Sequence, residues 1–500
     1  MNEPRTPVLV VGAGLAGCVL ALELAHHGVR SVVLERSARP PRHPELNLVT
    51  GRGMELLRRL GLADAVRAEG ADPDSPAAVV WSRALGETPV LVTPVPSVNE
   101  LRRRYAGRTD GAAPVEPYVV LTGAGLTGRL RDAVRENALI DLREGWTFTG
   151  LRLEPDRTVA TVLDAATRVR HELDAGFLAG CDGAQSTVRR CLGVPLEDAI
   201  TPSRHCTLTF RSDGLRHPYP ELSTIIANGM TLTRRPGDLW TGHLALDCDD
   251  ADLTDPAVLL WQRFGIRAAE IVGVTPWQEA LGVAGTYRRG TAFLVGESAH
   301  RFHPPSATVD TCLADAVDLG WKLAAAVTRW GGPHLLGSYE GERRRQAMRE
   351  REKLSRTLAA RHHFGRLAAS GATAAQLASV LRQEAPGFDP AGLADAGPRL
   401  PAVRLSGGEM LFDLLGPQFT LVDLTPGRDG RSLAAAAVAR GIPVAHLPID
   451  DAPLRSEWRS RLVLVRPDHV VAWRSPERPS DWDAVLDVVT GHQREVHVFT

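Results

Sequence analysis

Chemistry-bearing residues concentrate in three stretches of this chain. In the first, Val8 to Glu35, four apolar residues (Val8 to Val11) run straight into Gly12, Gly14 and Gly17, set in G-x-G-x-x-G spacing. An apolar run from Leu15 to His26 follows, and Ser31 to Leu34 lead into Glu35 and Arg36. Strand, glycine turn, helix and second strand are the expected order. The glycines permit a tight turn, let the backbone approach a pyrophosphate, and let the helix pack on the sheet. The first helical amides then face phosphate, and Glu35 can accept hydrogen bonds from an adenosine ribose. An acid at the strand end favours a free 2′-hydroxyl, hence FAD or NAD over NADP at this position. The competing reading is a bare α/β packing turn.

The second stretch, Gly176 to Arg190, reads GFLAGCDGAQSTVRR. Phe177 to Ala179 end a strand, Asp182-Gly183 make a turn, and Ser186 is placed to cap a helix from Thr187. The third, Ala292 to Ala325, carries a strand (Phe293 to Val295), a turn at Gly296-Glu297, then His300, Arg301, His303 and the Pro304-Pro305 loop. A helix is expected from about Leu313, with Leu319, Trp321 and Leu323 along it. His300, Arg301 and His303 are acid–base candidates: each can bind a phenolate or move a proton, with loop hydrogen bonding as the alternative role.

These stretches need elements to hold them. Gly53 to Leu60 and Leu126 to Glu136 read as helices, with Arg52 just before the first. Trp146 to Leu153, Val159 to Leu163 and Val169 to Leu173 suggest an antiparallel meander. CTLTFRS, STIIANG, MTLTRRP and LWTGHLALDC alternate like sheet strands, as does Ala77 to Trp81. His205, Arg211, Trp240, His243 and Tyr287 are the substrate-pocket candidates on and beside this middle sheet, weighed against ordinary core or surface roles. Residues 334–370 read as a long charged helix, its charges a solvated face. The end of the chain, with LFDLLGPQFTLVDLT, LVLVRPDHVVAW and a helix at Trp482 to Val489, is a further α/β unit. The resulting layout is a discontinuous dinucleotide-binding domain (1–75, 100–195, 285–370), an inserted β-sheet domain (76–99, 196–284), a linker (371–398) and a C-terminal domain (399–500).

With 500 residues, 44% hydrophobic and 23% charged, the chain has ample core for several domains. A net charge of −1 supplies no field for nucleic acid or an anionic membrane. The six cysteines show no C-x-x-C pair and no metal-ligand spacing, which fits reduced thiols, no metal site and a cytoplasmic protein. No apolar run has membrane-spanning length.

Together the motifs resemble the class A flavoprotein monooxygenases, most closely the subgroup acting on aromatic polyketides. Gly12, Gly14, Gly17 and Glu35 match its adenosine-side motif, Arg52 an arginine near the flavin pyrophosphate, and Asp182-Gly183 its D-G motif. Gly296, Ser298-Ala299-His300 and Pro304-Pro305 match the ribityl motif and the loop beneath the flavin ring. The resemblance implies a glutathione-reductase-type Rossmann fold binding FAD, NAD(P)H as reductant, and an aromatic, polyketide-like small-molecule substrate. It also implies a thioredoxin-like C-terminal domain, here without C-x-x-C, and a monomer or homodimer. Departures fall on the ring side. Glu297 replaces an aspartate, Gly123 and Thr127 stand where the family has glutamine and glutamate, and Ser306 to Cys312 lacks the family's glycines. Asp310 aligns with an asparagine. A carboxylate about 5 Å from flavin N1 would oppose the reduced anion by roughly 3 kcal/mol at an effective dielectric near 20; alternatively Asp310 caps the helix. Three functions are therefore in play: an FAD-dependent monooxygenase, a redox-neutral enzyme (cyclisation, dehydration or isomerisation) on the same fold with FAD structural or absent, and a non-catalytic partner in a biosynthetic complex.

Overall fold

The computed structural model describes residues 5–39, 46–108, 110–201, 203–215, 223–235, 238–246, 255–302, 308–385, 387–393 and 398–493. A run of apolar residues needs cover on both faces, and the strand Thr6–Val11 finds it at the centre of a parallel sheet. Arg170–Gly180 flanks it on one side and Ser31–Glu35 on the other. Ala292–Leu294 and Ile140–Glu144 extend the parallel array outwards. The expected meander hangs from it: Thr158–Asp164 pairs antiparallel with Arg170–Gly180, and Trp146–Leu153 pairs antiparallel with Thr158–Asp164.

The helix Leu15–His26 lies against the helix Thr308–Val327. The approach is close because position 320 has no side chain: a methyl there would stand 2.4 Å from Glu23 Cγ. Glu23 is fully buried, and Arg59 donates to both of its oxygens, at 2.7 and 2.8 Å. The second helix begins at Thr308, a turn and a half earlier than expected, because Val309 and Cys312 join Leu313 and Ala316 in the core.

A second sheet orders Glu270–Glu279, Ser203–Arg211, Leu239–Ala245, Met230–Arg234, Ser223–Ile226, Ala77–Ser82 and Leu91–Val95. Its register lines up Leu91, Trp81, Ile225, Thr231, His243 and Thr207 in one row across six strands. Because side chains alternate along a strand, odd-numbered residues share that face. The even-numbered Cys206, Leu208, Phe210, Leu232, Trp240 and Leu244 face the other way and pack with Leu259 and Leu260 of the helix Pro256–Phe264.

The C-terminal unit has four strands in the order Val444–Pro448, Phe419–Asp423, Leu462–Val465 and Val471–Ser475, the first pair parallel and the others antiparallel. Helices Arg431–Ala439 and Trp482–Val489 complete this thioredoxin-like arrangement. Its core includes Trp321, Ala325 and Leu335 from the helices of the first fold, with Trp321 edge-on to Phe419. The stretch expected as a linker holds a helix, Ala374–Glu384, started by a capping box between Thr373 and Gln376. Its Leu377 and Leu381 pack with Trp81 and Phe364. No helix among the described residues is long and apolar enough to cross a membrane.

Candidate functional site

Gly12 turns at φ +103°, and a methyl there would meet the Cys181 carbonyl oxygen at 2.5 Å. At Gly17 a methyl would stand 1.8 Å from the Gly12 carbonyl oxygen, so these two glycines close the strand–turn–helix crossing. Gly14 differs. Its φ is −80°, and a methyl on it would meet no protein atom within 4 Å. The space before the first helical amides is thus left open by the chain, as a pyrophosphate requires. On the rim of this space Glu35 accepts from Ala13 N at 2.8 Å and from Ser37 N at 2.9 Å. Arg36 beside it is exposed.

Arg131 is a residue the sequence reading missed. It is 2% exposed, lies 3.1 Å from Glu35, and donates its Nε to the Ala13 carbonyl at 2.8 Å. The available signal was an arginine between Leu130 and Val134 on the buried face of the helix Gly123–Glu136.

The second and third stretches converge on the same place. Asp182 accepts from Thr187 N at 2.6 Å and Val188 N at 3.0 Å, so it caps the short helix jointly with Ser186, whose Oγ accepts from Arg189 N at 2.9 Å. Gly183 turns at φ +76°, and a methyl there would lie 4.0 Å from the Glu297 carboxylate. Gly296 turns at φ +63°; a methyl there would come within 3.0 Å of Ala16 and 3.1 Å of Cys312 Sγ. Arg52 donates to Glu55 at 3.3 Å and to the Asp468 carbonyl at 3.0 Å, which ties the helix Gly51–Arg59 to the C-terminal unit.

The acid–base candidates separate. His300 is fully buried, its Nε2 3.0 Å from Asp315 Oδ2, and is not among the residues lining the large cavity. Asp315 also accepts from Arg343 Nε at 2.7 Å and Gly296 N at 3.2 Å, so His300 stands in a buried ion-paired network. Burial pushes Asp315 upward, but Arg343 and His300 outweigh it and hold the carboxyl below its usual range. Arg301 lies in the short strand His300–Phe302 and reaches the Gln278 carbonyl at 3.4 Å. His303, Pro304 and Pro305 fall outside the described residues.

Asp310 does line a cavity. It is the third residue of its helix, and its carboxylate accepts from Thr50 N, at the start of the helix Gly51–Arg59, at 3.3 Å. It therefore holds a neighbouring helix's N-terminus. A methyl on Gly53 would collide with it at 2.0 Å. Burial drives its pKa up to about 7, against the downward pull of the Thr50 hydrogen bonds and Lys353.

The cavity encloses about 1420 Å³ between the second sheet, the two long helices and the C-terminal unit. Thr231, Thr233, Thr241 and His243 line its sheet wall, and Val471 and Val489 its C-terminal wall. Of the five substrate candidates, His243 alone lines it, its Nδ1 2.8 Å from Thr207 Oγ1. Trp240 sits three residues before it on the same strand, an odd separation, and so points into the opposite core, donating to the Ser212 carbonyl at 3.3 Å. Arg211 forms surface ion pairs with Asp238 and Glu270, at 2.6 and 3.2 Å. His205 stacks on Trp277, and Tyr287 is buried in the first fold's core, where burial raises its pKa well above normal. The charged helix Leu335–Ala369 also departs from expectation. Arg345, Arg349, Lys353 and Arg361, spaced four, four and eight residues apart, line the cavity from one helix.

Residues 5–233 and 262–352 match the family model for the FAD binding domain, and residues 394–492 match the C-terminal domain of aromatic-ring hydroxylases. The chain belongs to the FAD-dependent aromatic-ring hydroxylases. These are monooxygenases, and FAD is the cofactor that the family's fold binds. The chain is 27% identical to the FAD-dependent monooxygenase apdD of Emericella nidulans, over 98% of this chain and 90% of that one. It is 25% identical to the dialkyldecalin synthase of Streptomyces rugosporus, over 94% and 96%. Among solved structures, the rebeccamycin biosynthetic enzyme RebC with reduced flavin superposes with a TM-score of 0.84 at 25% identity, covering 98% of this chain and 100% of that one.

Proposed function

We propose that the chain is an FAD-dependent monooxygenase acting on an aromatic, polyketide-like small molecule in secondary metabolism, with NAD(P)H as reductant. The observation that carries this reading is the open space at Gly14, facing helical amides with Glu35 on its rim, in a fold whose core helix delivers Asp310 to a large cavity. Gly12, Gly14, Gly17, Glu35 and Arg36 would hold the adenosine and pyrophosphate. Arg52, Asp182, Gly183, Gly296 and Glu297 would border the remainder, with Pro304 and Pro305 beneath the ring. Bound FAD would supply the redox chemistry, hydride acceptance from NAD(P)H and activation of O₂ for oxygen-atom transfer. The chain's own part is to bind, orient and keep water out. The threonine rows offer hydroxyls that orient a flat polar substrate, and the apolar Trp81, Ile225 and Leu91 cover its faces. His243 is the histidine on that wall best placed to hold or move a substrate proton, its ring fixed through Thr207.

A second reading, redox-neutral chemistry in the same cavity, is supported by the likeness to the dialkyldecalin synthase and by the altered ring-side loop. One experiment separates them: the absorbance spectrum of the purified chain, before and after FAD and NADPH are added in air. Visible flavin bands that bleach with NADPH are expected. Flavin that stays oxidised with NADPH and aromatic substrates present would reject oxygenation, and product formed without NADPH would install the second reading.

A further inference from the structure

The cavity wall carries more cations than its own carboxylates answer. Asp318, Glu342 and Asp468 are committed to Lys322 and Arg466. Asp389 caps backbone amides at Ala391 and Leu393, Asp310 accepts from Thr50 N, and Glu350 lies 3.9 Å from Lys353. On the facing helix, Arg345, Arg349 and Arg361 line the cavity with no hydrogen bond or ion pair to any described residue. Arg345 and Arg349 are exposed, so water serves them. Arg361 is different. It lies half-buried, its Nε is sealed from solvent with no partner, and burial depresses its pKa. The acid nearest it in the electrostatics, Glu279, lies beyond ion-pair reach and is bonded to Ser203 at 3.2 Å. Stripping water from a guanidinium without supplying a counter-charge is unfavourable, and a planar donor fork aimed into a cavity matches a carboxylate.

We propose that the end of this cavity beside Arg361 is a subsite for an anionic oxygen group, a carboxylate on the aromatic substrate, with Arg361 as its specificity-determining residue. This deepens the proposed function and rests on it for the aromatic character of the ligand alone. An anionic oxygen could also come from a phosphate of NADPH, so the experiment carries an arm for each source.

The full-length chain is titrated with anthraquinone-2-carboxylate and with the matching carboxamide, followed by tryptophan fluorescence. The expected result is that the acid binds at least tenfold more tightly than the amide, about 1.4 kcal/mol. That advantage should shrink with added salt, fall below about threefold in Arg361→Gln, and be partly retained in Arg361→Lys, while the amide binds all three proteins alike. A thermal melt confirms that each variant is folded, and the salt dependence of the unaltered chain stands if Arg361→Gln does not fold. Equal binding of acid and amide, binding of neither at roughly 1 mM, or an acid advantage that survives Arg361→Gln each overturns the proposal. If instead Arg361→Gln raises the NADPH concentration needed to bleach flavin and leaves acid binding unchanged, the subsite belongs to the reductant and the substrate assignment fails. Failure of the monooxygenase reading is read separately, as flavin that NADPH does not bleach while acid-selective binding persists.

Discussion

At Asp310 a carboxyl group is taken out of water and left with one backbone donor, Thr50 N, which is why its pKa rises from 3.8 to about 7. In the unfolded chain the same group ionises near its ordinary value. Between about pH 4 and pH 7 the folded chain therefore keeps a proton that the unfolded chain has lost, and this residue's contribution to stability falls as pH rises through that window. Asp310→Asn removes the dependence and retains an acceptor for Thr50. Urea unfolding should show the variant near wild type at pH 4 and more stable at pH 8, by on the order of 2–4 kcal/mol; parallel pH profiles would reject the raised pKa. In flavin-loaded protein the same variant should raise the flavin potential if, as proposed, this end of the helix faces the flavin ring, since one ionisable acid there is gone. At Gly14 the test is of space. The backbone there suits any residue and a new side chain meets no protein atom, so Gly14→Val should melt within about 1 kcal/mol of wild type yet fail to retain FAD on gel filtration. Normal retention would count against the pyrophosphate assignment.

Helix against helix, the decisive contact is Gly320 on Glu23. Both helices it joins lead with their N-termini toward the proposed cofactor space, so their separation sets its width. Gly320→Val forces them apart near the base of a buried side chain, and a loss of ~1–3 kcal/mol with weakened FAD retention is expected from denaturation and spectroscopy. The same scale explains what the sequence could show. The strand–glycine–helix unit, the meander, the middle strands and the C-terminal order were legible because each is written in local periodicity and turn residues. The helix Ala374–Glu384 was legible too, in its Thr373–Gln376 capping box, but was read past as a linker. The cavity wall was not legible residue by residue. Trp240 and His243 were singled out together although an odd separation on one strand sends them to opposite faces. Arg131 owes its placement to the Ala13 carbonyl, 118 residues away, and Arg361 to a fold that brings its helix against the second sheet; no local pattern reports either.

In the whole molecule, the C-terminal unit is bound in by charge as well as by the shared core at Trp321. Lys322, fully buried, and Arg466 answer Asp318, Glu342 and Asp468 across the junction. Burial pushes Glu342 upward, but Arg466 and Lys322 outweigh it and hold its pKa at about 2. Asp468 is depressed by the same arginine against the same burial. Arg466→Gln leaves three acids facing one lysine, and a loss of ~3–5 kcal/mol at pH 7 is expected. In wild type Glu342 and Asp468 contribute stability that is lost as pH falls below about 4, whereas Asp318, which burial raises to about 6, contributes in the opposite sense between about pH 4 and 6. The gap between wild type and variant should therefore be widest at pH 7–8 and close toward pH 3, as measured by denaturant melts; a gap independent of pH would show that the cluster acts by packing alone. One consequence of the second sheet's register concerns how such an enzyme changes over generations. Residues that line the cavity and residues that hold the sheet to its helix are interleaved along the same strands yet never coincide. Mutational libraries restricted to Thr231, Thr233, Thr241 and His243 should yield altered selectivity at nearly constant melting temperature. Truncations at Phe210, Leu232 or Trp240 should cost ~2–5 kcal/mol each and leave selectivity alone. Inheritance of a new substrate and survival of the fold are thereby placed on separate letters of one text.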